Sequence, residues 1–525
     1  MDRVGGAMNV LVWIVLALPL VGAAVVAGMP RLVPERAVVP VGVGVSGATL
    51  ATAVVLGLAF DRSAAHRVQF ETDVSWIGAI DVRWHLGIDG VSLPMVSLTA
   101  LLTFLCLLSL TRTPPRRARA LVGLVLLLEV GMLGTFVALD LVVFFLFFEV
   151  VLVPMWFVIA VWGDPDDPGG RRRAATTFIL YTVLGSAVML VGFLVVYAGS
   201  GTFDLVELAR RGGDGIALGT QVAAAVAIGL GLGVKSPLWP LHTWLPDAHA
   251  KAPTIGSVLL AGVLLKMGTY GFIRVWLPVV PDGARVVAPY LAAFATVGIL
   301  YGALACLAQC GTRPLRPLAG IGPAAPSGDL KRIVAYSSVG HMGFVLLGIA
   351  TLSPVGVNGA IFAGVAHGLI TGLLFFLAGA IKDRHGSGLL AAIGGGLYAR
   401  MPRLGGLFLF GAVASLGLPG LAGFWGEMLA LLGAFQPNAA LTRSTYVVLM
   451  VLAGFGAVLT AAYFLVLVRR LCQGSDRAAS STVRDVTAIE VWSWAPLVAL
   501  TLVLGLYPRA VLALTEPAVH LLVGR

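Results

Sequence analysis

Long, continuous apolar stretches run through the whole chain. A helix needs about 20 apolar residues to cross the hydrocarbon core of a bilayer, and about fourteen stretches meet that length. They begin near Asn9, Val38, Val91, Ala120, Leu141, Ala174, Thr220, Pro253, Val286, Ile333, Val355, Leu404, Thr445 and Ile489. The spacing of these stretches predicts a chain that crosses a membrane many times.

The same stretches distinguish a helical bundle from a membrane barrel. Barrel strands are about 10 residues long and alternate between apolar and polar residues, whereas these runs are continuous and rich in Leu, Val, Ala and Gly. With 58% hydrophobic and 11% charged residues, the chain has too little polar surface for a soluble globule of its size. The sequence therefore predicts an all-α, polytopic membrane bundle of about fourteen transmembrane helices.

The net charge of +10 is compatible with a nucleic-acid or acidic-lipid partner, but its distribution favours another interpretation. If the N terminus lies outside, the cytoplasmic connections carry about two thirds of the Lys and Arg residues, as the positive-inside rule requires. The excess of basic residues then reflects the orientation of the chain in the membrane. We expect both termini on the outer face and no nucleic-acid partner.

The four cysteines form no recognisable metal or cluster motif. Cys306 and Cys310 are one helical turn apart, while Cys106 and Cys472 stand alone. Two thiols are too few to hold a zinc ion or an iron–sulfur cluster. We interpret all four as small apolar filler residues, and we expect no metal site, no cofactor and no redox chemistry on this chain.

Seven titratable residues lie inside the predicted helices, where a charge costs several kcal/mol and indicates function. They are Glu129, Glu149, Lys235, Lys266, His341, His367 and Glu427. Both cations in this set are Lys, although only five of the 35 basic residues are Lys. A lysine can release its proton when desolvated and an arginine cannot. The set predicts a proton relay.

A purely structural role is the alternative for each of these residues. A single Glu or His within a membrane often bonds only a neighbouring backbone or hydroxyl group. For Glu129 and His367, each taken alone, that interpretation is favoured. For the full set, spread over consecutive helices, the relay is favoured.

The stretch "GLGLGVKSPLWPLHTWLPDAHAKAP" predicts a break in the seventh helix. From Gln221 to Lys235 a helix advances about 21 Å, and Pro237 and Pro240 then remove backbone donors and clash with the preceding turn. Carbonyl groups freed inside a membrane are tolerated only beside protein or water. We therefore expect Lys235 at a break that opens onto an internal wet cavity.

Two other interpretations of this stretch are weaker. A phosphate-binding loop needs Gly directly before Lys and a strand upstream, whereas here Val234 precedes Lys235 and the upstream run is a helix. His242, Asp247 and His249 include metal-ligand types, but an irregular loop at the membrane interface is favoured over a metal site.

A second break is predicted in the twelfth helix, where "LGLPGLAG" precedes Glu427. Five helices counted from Ala120 and five from Val286 place each break in the fourth helix of its set. Because five is odd, the two sets have opposite orientations, as in inverted-repeat transporters. The predicted divisions are an N-terminal segment 1–119, a first repeat 120–285, a second repeat 286–488 and a C-terminal helix 489–525.

Three longer motifs bring the sequence close to a known family. "PLHTWLPDAHAKAPT", "DLKRIVAYSSVGHMGF" and "AHGLITGLLFFLAGAI" resemble signatures of the antiporter-like membrane subunits of respiratory complex I, the proton-pumping NADH:quinone oxidoreductase. The likeness runs from about Ile88 to the end of the chain. Within the family it is closest to subunit M, because Glu427 stands where subunits L and N and the antiporter relatives have Lys.

The resemblance implies a role for each of the five main residues. Glu149 would be the partner that tunes Lys235, Lys266 would connect onward, His341 would lie on the central relay, and Glu427 would be the terminal group. Burial disfavours a charged lysine and a nearby carboxylate favours it. Coupling would therefore be a change of ion-pair partner.

The remaining implications concern the secondary residues and the setting. Glu129 would match an acid at which neighbouring subunits communicate, and His367 a family histidine of less certain role. The setting would be a bacterial plasma membrane, with subunits L and N among the partners. FMN, iron–sulfur clusters and quinone would reside in other subunits, which would supply the energy.

The sequence departs from the family pattern at one place. The nearly continuous family motif Q-x-DLKR is interrupted here by the segment 310–328, between Gln309 and Asp329. Its four prolines are incompatible with a helix, so we expect a cytoplasmic loop insertion between helices nine and ten. The insertion lies next to Lys331, near the expected cytoplasmic entry path for protons, and could alter that path.

Two further functions share these motifs. A cation/proton antiporter subunit of the multi-subunit sodium-exporting type is the first, and Glu427 argues against it. A structural scaffold that only holds neighbouring subunits is the second, and the full titratable set argues against that. The leading prediction is a proton-translocating subunit of complex I, which is an enzyme only as part of that oxidoreductase.

Overall fold

The fold is a bundle of long helices that can cross a membrane. The computed structural model describes residues 2–28, 33–311, 328–474 and 484–523. Thirteen helical segments in those ranges are long and apolar enough to span a bilayer. They are Asn9–Gly28, Glu35–Ala59, Ser92–Ser109, Ala118–Val137, Leu141–Trp162, Pro168–Ser200, Leu218–Lys235, Thr254–Val279, Pro281–Gln309, Leu330–Ala350, Pro354–His385, Arg443–Cys472 and Ala488–Leu506.

The twelfth apolar stretch forms two shorter helices, Pro402–Ser415 and Ala422–Phe435. Gly417 and Gly420 between them have φ angles of 71° and 93°, which glycine adopts without steric cost. The predicted break in the twelfth helix is therefore confirmed. We number the spans 1 to 14 in chain order, with this divided pair as span 12.

The seventh helix is also divided where the sequence predicts. Span 7 ends at Lys235, and the chain resumes as the helix Trp244–Lys251 after a turn. The prediction of an irregular loop is wrong for this second segment, which is helical and mostly buried against the rest of the chain, with His249 0% exposed. Pro246 is compatible with the helix because it lies in the first turn, where a backbone N–H has no intrahelical partner.

Span 8 departs from regular α-helical geometry in two places. It contains π-helical segments at Leu260–Leu264 and Phe272–Trp276. Such segments are rare and often occur at functional sites. Every residue of its most apolar window is buried inside the bundle, as is also the case for span 11, Pro354–His385.

A β-hairpin between spans 2 and 3 adds two strands that the prediction of an all-helical bundle does not include. Strands Gln69–Ile77 and Val82–Ile88 pair antiparallel. The Trp13 indole of span 1 donates a hydrogen bond to Thr72 in the first strand, at 3.1 Å. We call this side of the bundle the hairpin face.

Short helices complete the described chain. They are Leu205–Arg211, Trp244–Lys251, Leu390–Ile393, Leu397–Arg400 and Arg509–Val523, with 3₁₀ turns at Glu35–Ala37, Arg62–Ala64 and Gly78–Ile80. The last of the α-helices brings Val523 to the same cavity as His66 at the base of the hairpin. The C-terminal helix therefore lies on the hairpin face.

Most of the predicted insertion 310–328 lies outside the described residues. At its ends, the Gly328 N–H donates a hydrogen bond to the Gln309 carbonyl at 3.2 Å. The chain therefore leaves and re-enters the bundle at one point, between spans 9 and 10. The division into two inverted repeats stays a prediction.

Candidate functional site

Lys266 lies in the middle of span 8 and is completely buried. Its Nζ donates to the Ala261 carbonyl at 2.6 Å and lies 2.5 Å from His367 Nδ1. In the π-helical segment the Leu265 N–H donates to Leu260, five residues back. The Ala261 carbonyl thereby loses its usual α-helical donor, Leu265, and accepts the lysine.

His367 lies on span 11 and connects Lys266 to the rest of the site. For Nδ1 to accept from the lysine ammonium, the imidazole must be neutral with its proton on Nε2. At 2.5 Å a charged lysine and a charged histidine would repel strongly. The pair can therefore hold at most one excess proton, and the short contact allows that proton to pass from one group to the other.

His341, on span 10, faces the break in span 12. Its Nδ1 lies 2.9 Å from Glu427 Oε1, and its Nε2 lies 2.8 Å from the Ser415 hydroxyl. Ser415 is the last residue of the first half of span 12, and Glu427 lies in the second half. The broken helix thus brings two polar groups to one imidazole ring.

The two histidines are close to each other across a small cavity. Their ring centroids are 5.8 Å apart. The cavity measures about 20 Å³ and is lined by both rings together with Ser415 and Glu427, which is room for one water with polar partners. We call Lys266, His367, His341 and Glu427 the distal cluster.

Glu149 and Lys235 are arranged differently, and we call them the proximal pair. Lys235 is 2% exposed, and its Nζ has no hydrogen-bond partner among the described residues. It lies 4.7 Å from the centroid of the Phe148 ring, a favourable cation–π position. No carboxylate oxygen of the described chain, including those of Glu149, is within 4.0 Å of it.

Glu149 itself is partly buried on span 5. Its Oε1 has no hydrogen-bond partner among the described residues, while the Ser186 side chain on span 6 interacts with its carboxylate. The structure places Lys235 at the predicted helix break and Glu149 on a neighbouring span. It shows them apart, whereas the resemblance implies that they pair.

Glu129 is the most isolated of the seven predicted residues. It lies on span 4 and is completely buried, and neither carboxylate oxygen has a hydrogen-bond partner in the part of the chain that the structure describes. A buried carboxylate without partners is costly when charged. We expect it to be neutral unless a neighbouring group approaches.

Spans 7 and 8 approach each other very closely between the two lysines. A Cβ atom on Gly268 would lie 2.3 Å from the Ser236 hydroxyl and 2.8 Å from the Leu232 carbonyl, so only glycine fits. The contact packs the residue after Lys235 against the turn after Lys266. Within the described residues no hydrogen bond links the two lysines directly.

A family model places this arrangement among known proteins. The model described as "NADH:quinone oxidoreductase/Mrp antiporter, TM" matches residues 138–316 and 317–470. The chain belongs to this family. It is 40% identical, over 98% of its length and 97% of the relative, to NADH-quinone oxidoreductase subunit M of Rhodobacter capsulatus.

Two solved structures share the fold. A chain of respiratory complex I from Thermus thermophilus with bound NADH superimposes with a TM-score of 0.82 at 30% identity, covering 98% of this chain and 99% of that one. A chain of the Mrp complex from Dietzia sp. DQ12-45-1b gives 0.80 at 21% identity, covering 98% and 97%. The second similarity concerns the fold alone.

Two further buried groups, His249 and Lys331, lie outside the seven residues predicted for the relay. Both ring nitrogens of His249 lack a hydrogen-bond partner among the described residues, and the ring stacks on Phe375 at 4.5 Å. Lys331 is buried and donates to the Ala252 carbonyl at 3.0 Å. It lines a cavity of about 330 Å³ with Asp164, so the predicted entry region near Lys331 contains a sizeable cavity.

The inference that only lysines serve as cations inside the membrane needs a correction. Arg274 lies within span 8, where it is buried and forms an ion pair with Asp89 at 2.6 Å. Its carboxylate partner lies just before span 3, far away in sequence, so spacing along one helix could not reveal the pair. An arginine is tolerated because the ion pair is closed and hydrogen-bonded.

Proposed function

We propose that the protein translocates protons as a membrane subunit of respiratory complex I, through the predicted relay of buried Glu, Lys and His residues. The observation that carries the proposal is the distal cluster. Its four titratable side chains, from spans 8, 11, 10 and 12, form a row in space. The first two are 2.5 Å apart and the last two are 2.9 Å apart. Family membership supplies the class of reaction.

Proton movement through the distal cluster follows from its geometry. Lys266 gives a proton to Nδ1 of His367, which releases its Nε2 proton toward the cavity it shares with His341. The Ser415 hydroxyl, which lies 2.8 Å from His341 Nε2 and lines the same cavity, takes up a proton from the cavity as it gives its own to Nε2. His341 then delivers the proton on Nδ1 to Glu427. Each imidazole takes a proton on one nitrogen and loses one from the other, so the ring must then reset its tautomer.

The proximal pair would supply the driving step. When the Glu149 carboxylate approaches Lys235, the ammonium is stabilised, and when the two separate the proton is released toward Lys266. The separation in this structure corresponds to the releasing arrangement. The energy would come from quinone reduction in other subunits, which would hold the FMN, iron–sulfur clusters and quinone.

The proposal also includes a setting for the subunit. It would lie in a bacterial plasma membrane beside the sister subunits L and N, with both termini and the hairpin face outside. The distribution of Lys and Arg supports this orientation. Glu129, completely buried on span 4, would receive the influence of a neighbouring subunit.

The test uses the intact complex in sealed membrane vesicles. We expect Lys235→Ala and Glu149→Gln each to retain assembly and NADH oxidation but to lower the number of protons pumped per NADH. Lys235→Arg should fail in the same way, because arginine holds its proton. Lys251→Ala, which removes a partly exposed lysine paired with Asp167 at 2.7 Å, is the matched control and should pump normally.

Three results would contradict parts of this proposal. An unchanged proton-to-NADH ratio in Lys235→Ala would favour a structural scaffold. Normal pumping by Lys235→Arg would exclude proton release at that position. Sodium transport by vesicles that lack a respiratory dehydrogenase would establish the sodium-exporting antiporter instead.

A further inference from the structure

A large cavity on the hairpin face extends down to span 8. Its volume is about 830 Å³. Arg67 and Arg285, which are exposed, lie in its wall, and the buried residues Asp89 and Arg274 form its innermost part. The distal cluster therefore has an open space near it on the hairpin face.

The innermost part of this cavity is closed by a fixed ion pair. Arg274 is 8% exposed and Asp89 is 5% exposed, and their side chains meet at 2.6 Å. Arg274 Nε also donates to the Tyr270 hydroxyl at 3.0 Å, and that hydroxyl donates to the Phe136 carbonyl at 2.8 Å. The guanidinium is thus held from two sides.

Asp89 is held in place as well. Its Oδ1 accepts the backbone N–H groups of Val91 and Ser92, each at 3.0 Å, at the start of span 3. The carboxylate therefore caps the start of span 3 and at the same time pairs with an arginine on span 8. A side-chain network that is satisfied in this way is rigid.

Lys266, Tyr270 and Arg274 lie four residues apart along span 8, so they share one face of the helix. This face leads from the distal cluster to the cavity in about 12 Å, the rise of eight helical residues. A proton that moved along it from Lys266 would reach the hairpin face without passing His367, His341 or Glu427. Such a path would bypass the relay.

We propose that Arg274 is an electrostatic barrier that separates Lys266 from the cavity on the hairpin face. An arginine cannot be deprotonated in a protein, so Arg274 cannot pass on a proton, and its fixed charge opposes the approach of a hydrated proton although Asp89 offsets part of that charge. The Tyr270 hydroxyl cannot bypass it, since its one proton is donated to a carbonyl group. The inference rests on the proposed relay through Lys266.

The test measures passive proton leak through the intact complex in sealed liposomes, without turnover, at matched protein content. We expect Arg274→Gln to raise the leak several-fold and to lower the protons pumped per NADH. Arg274→Lys should leak little at neutral pH and more as pH rises, because lysine can lose its proton. Arg285→Gln, in the same cavity but paired with Asp282 at its exposed rim, is the control and should not leak.

The outcomes separate the barrier from the relay. Wild-type leak in assembled Arg274→Gln would overturn the barrier, as would equal leak in Arg274→Lys and Arg274→Gln at neutral pH. If Arg274→Gln does not assemble, the Lys variant decides, because only a barrier predicts a leak that increases with pH. An unchanged proton-to-NADH ratio in Lys266→Ala would instead refute the relay, whatever Arg274 does.

Discussion

The proximal pair and the distal cluster contain the same types of side chain but differ in how those side chains are connected. In the distal cluster, contacts of 2.5 Å and 2.9 Å flank a cavity with room for one water. In the proximal pair, the Lys235 ammonium faces only an aromatic ring, and Glu149 lies beyond ion-pairing distance. The distal cluster is thus held together by short polar contacts, whereas the two members of the proximal pair do not touch.

The difference indicates where control of the relay would lie. A hydrogen-bonded cluster can share a proton at little cost, because each transfer replaces one charge-assisted hydrogen bond by another. A buried, unpaired lysine has no such compensation, so its protonation depends on how close the carboxylate comes. We propose that the proximal pair gates the relay and that the distal cluster conducts.

The largest expected effect comes from breaking the distal cluster at His367. Replacement by Phe keeps a ring of similar size but removes both nitrogens, so Lys266 loses its contact and His341 its neighbour. We expect this subunit to stop pumping, which would lower the number of protons moved per NADH by the complex in sealed vesicles.

The control for this substitution lies on the same helix. His385 is at the end of span 11, where its Nδ1 lies 2.9 Å from the Ile381 carbonyl, and His385→Phe should pump normally. Normal pumping in His367→Phe would show that protons bypass this histidine, and the distal cluster would lose its role.

A smaller effect is expected at the proximal pair. Phe148→Leu removes the ring that stabilises the Lys235 ammonium, a cation–π contact worth about 1 kcal/mol. We expect a roughly fivefold change in pumping rate, since about 1 kcal/mol corresponds to about fivefold in an equilibrium constant. The control is Phe144→Leu, which alters the neighbouring ring, 5.6 Å from Phe148, and should change the rate less.

The next effect concerns the hydroxyl that holds His341. Ser415→Ala removes a hydrogen bond at 2.8 Å, and such bonds contribute about 1 kcal/mol. We expect pumping to fall by at most about fivefold, the factor that about 1 kcal/mol represents, and Ser415→Thr to restore most of it. An unaffected Ala variant would mean that Glu427 alone orients the imidazole.

The smallest effect concerns stability and not pumping. It is expected at His85, a histidine on the hairpin face whose two ring nitrogens both have hydrogen-bond partners. Although burial lowers the pKa of His85, its hydrogen bonds to Asp204 at 2.5 Å and Glu71 at 2.8 Å raise the pKa above its usual value. Its charge therefore contributes stability that is complete below about pH 6.5, the value for an unfolded chain. That stability is lost as pH rises through the higher folded value.

The measurement for His85 is the thermal unfolding temperature of the purified complex across that pH range. His85→Gln should lower it most at pH 6 and progressively less toward pH 9. An equal decrease at all pH values would mean that His85 contributes by shape and not by charge.

Much of this architecture is predictable because each part has a local cause. Proline and glycine residues predict the breaks after Lys235 and before Glu427, and long apolar runs predict the spans. The hairpin could also be predicted, since β-branched and aromatic residues such as Val74, Trp76 and Ile77 are typical of strands. A search for long apolar runs alone does not detect strands, because they are shorter than membrane-spanning helices and include polar residues.

Other features depend on contacts between distant parts of the chain. The position of His367 between Lys266 and His341 requires three helices to meet, and the π-helical segments of span 8 have no sequence signature of their own. The Arg274 ion pair likewise requires Asp89, which is remote in sequence. These features follow from packing, so they become visible only in the folded chain.

Neither the step from Lys235 to Lys266 nor the step from His367 to His341 is bridged by a direct hydrogen bond among the described residues. The first of them has no cavity assigned to it within those residues. An experimental structure of the whole complex, at a resolution that shows ordered water, tests this step most directly. The account predicts at least one water within hydrogen-bonding distance of each lysine Nζ, linked in a continuous chain between them. A dry, close-packed region between the two lysines would contradict it.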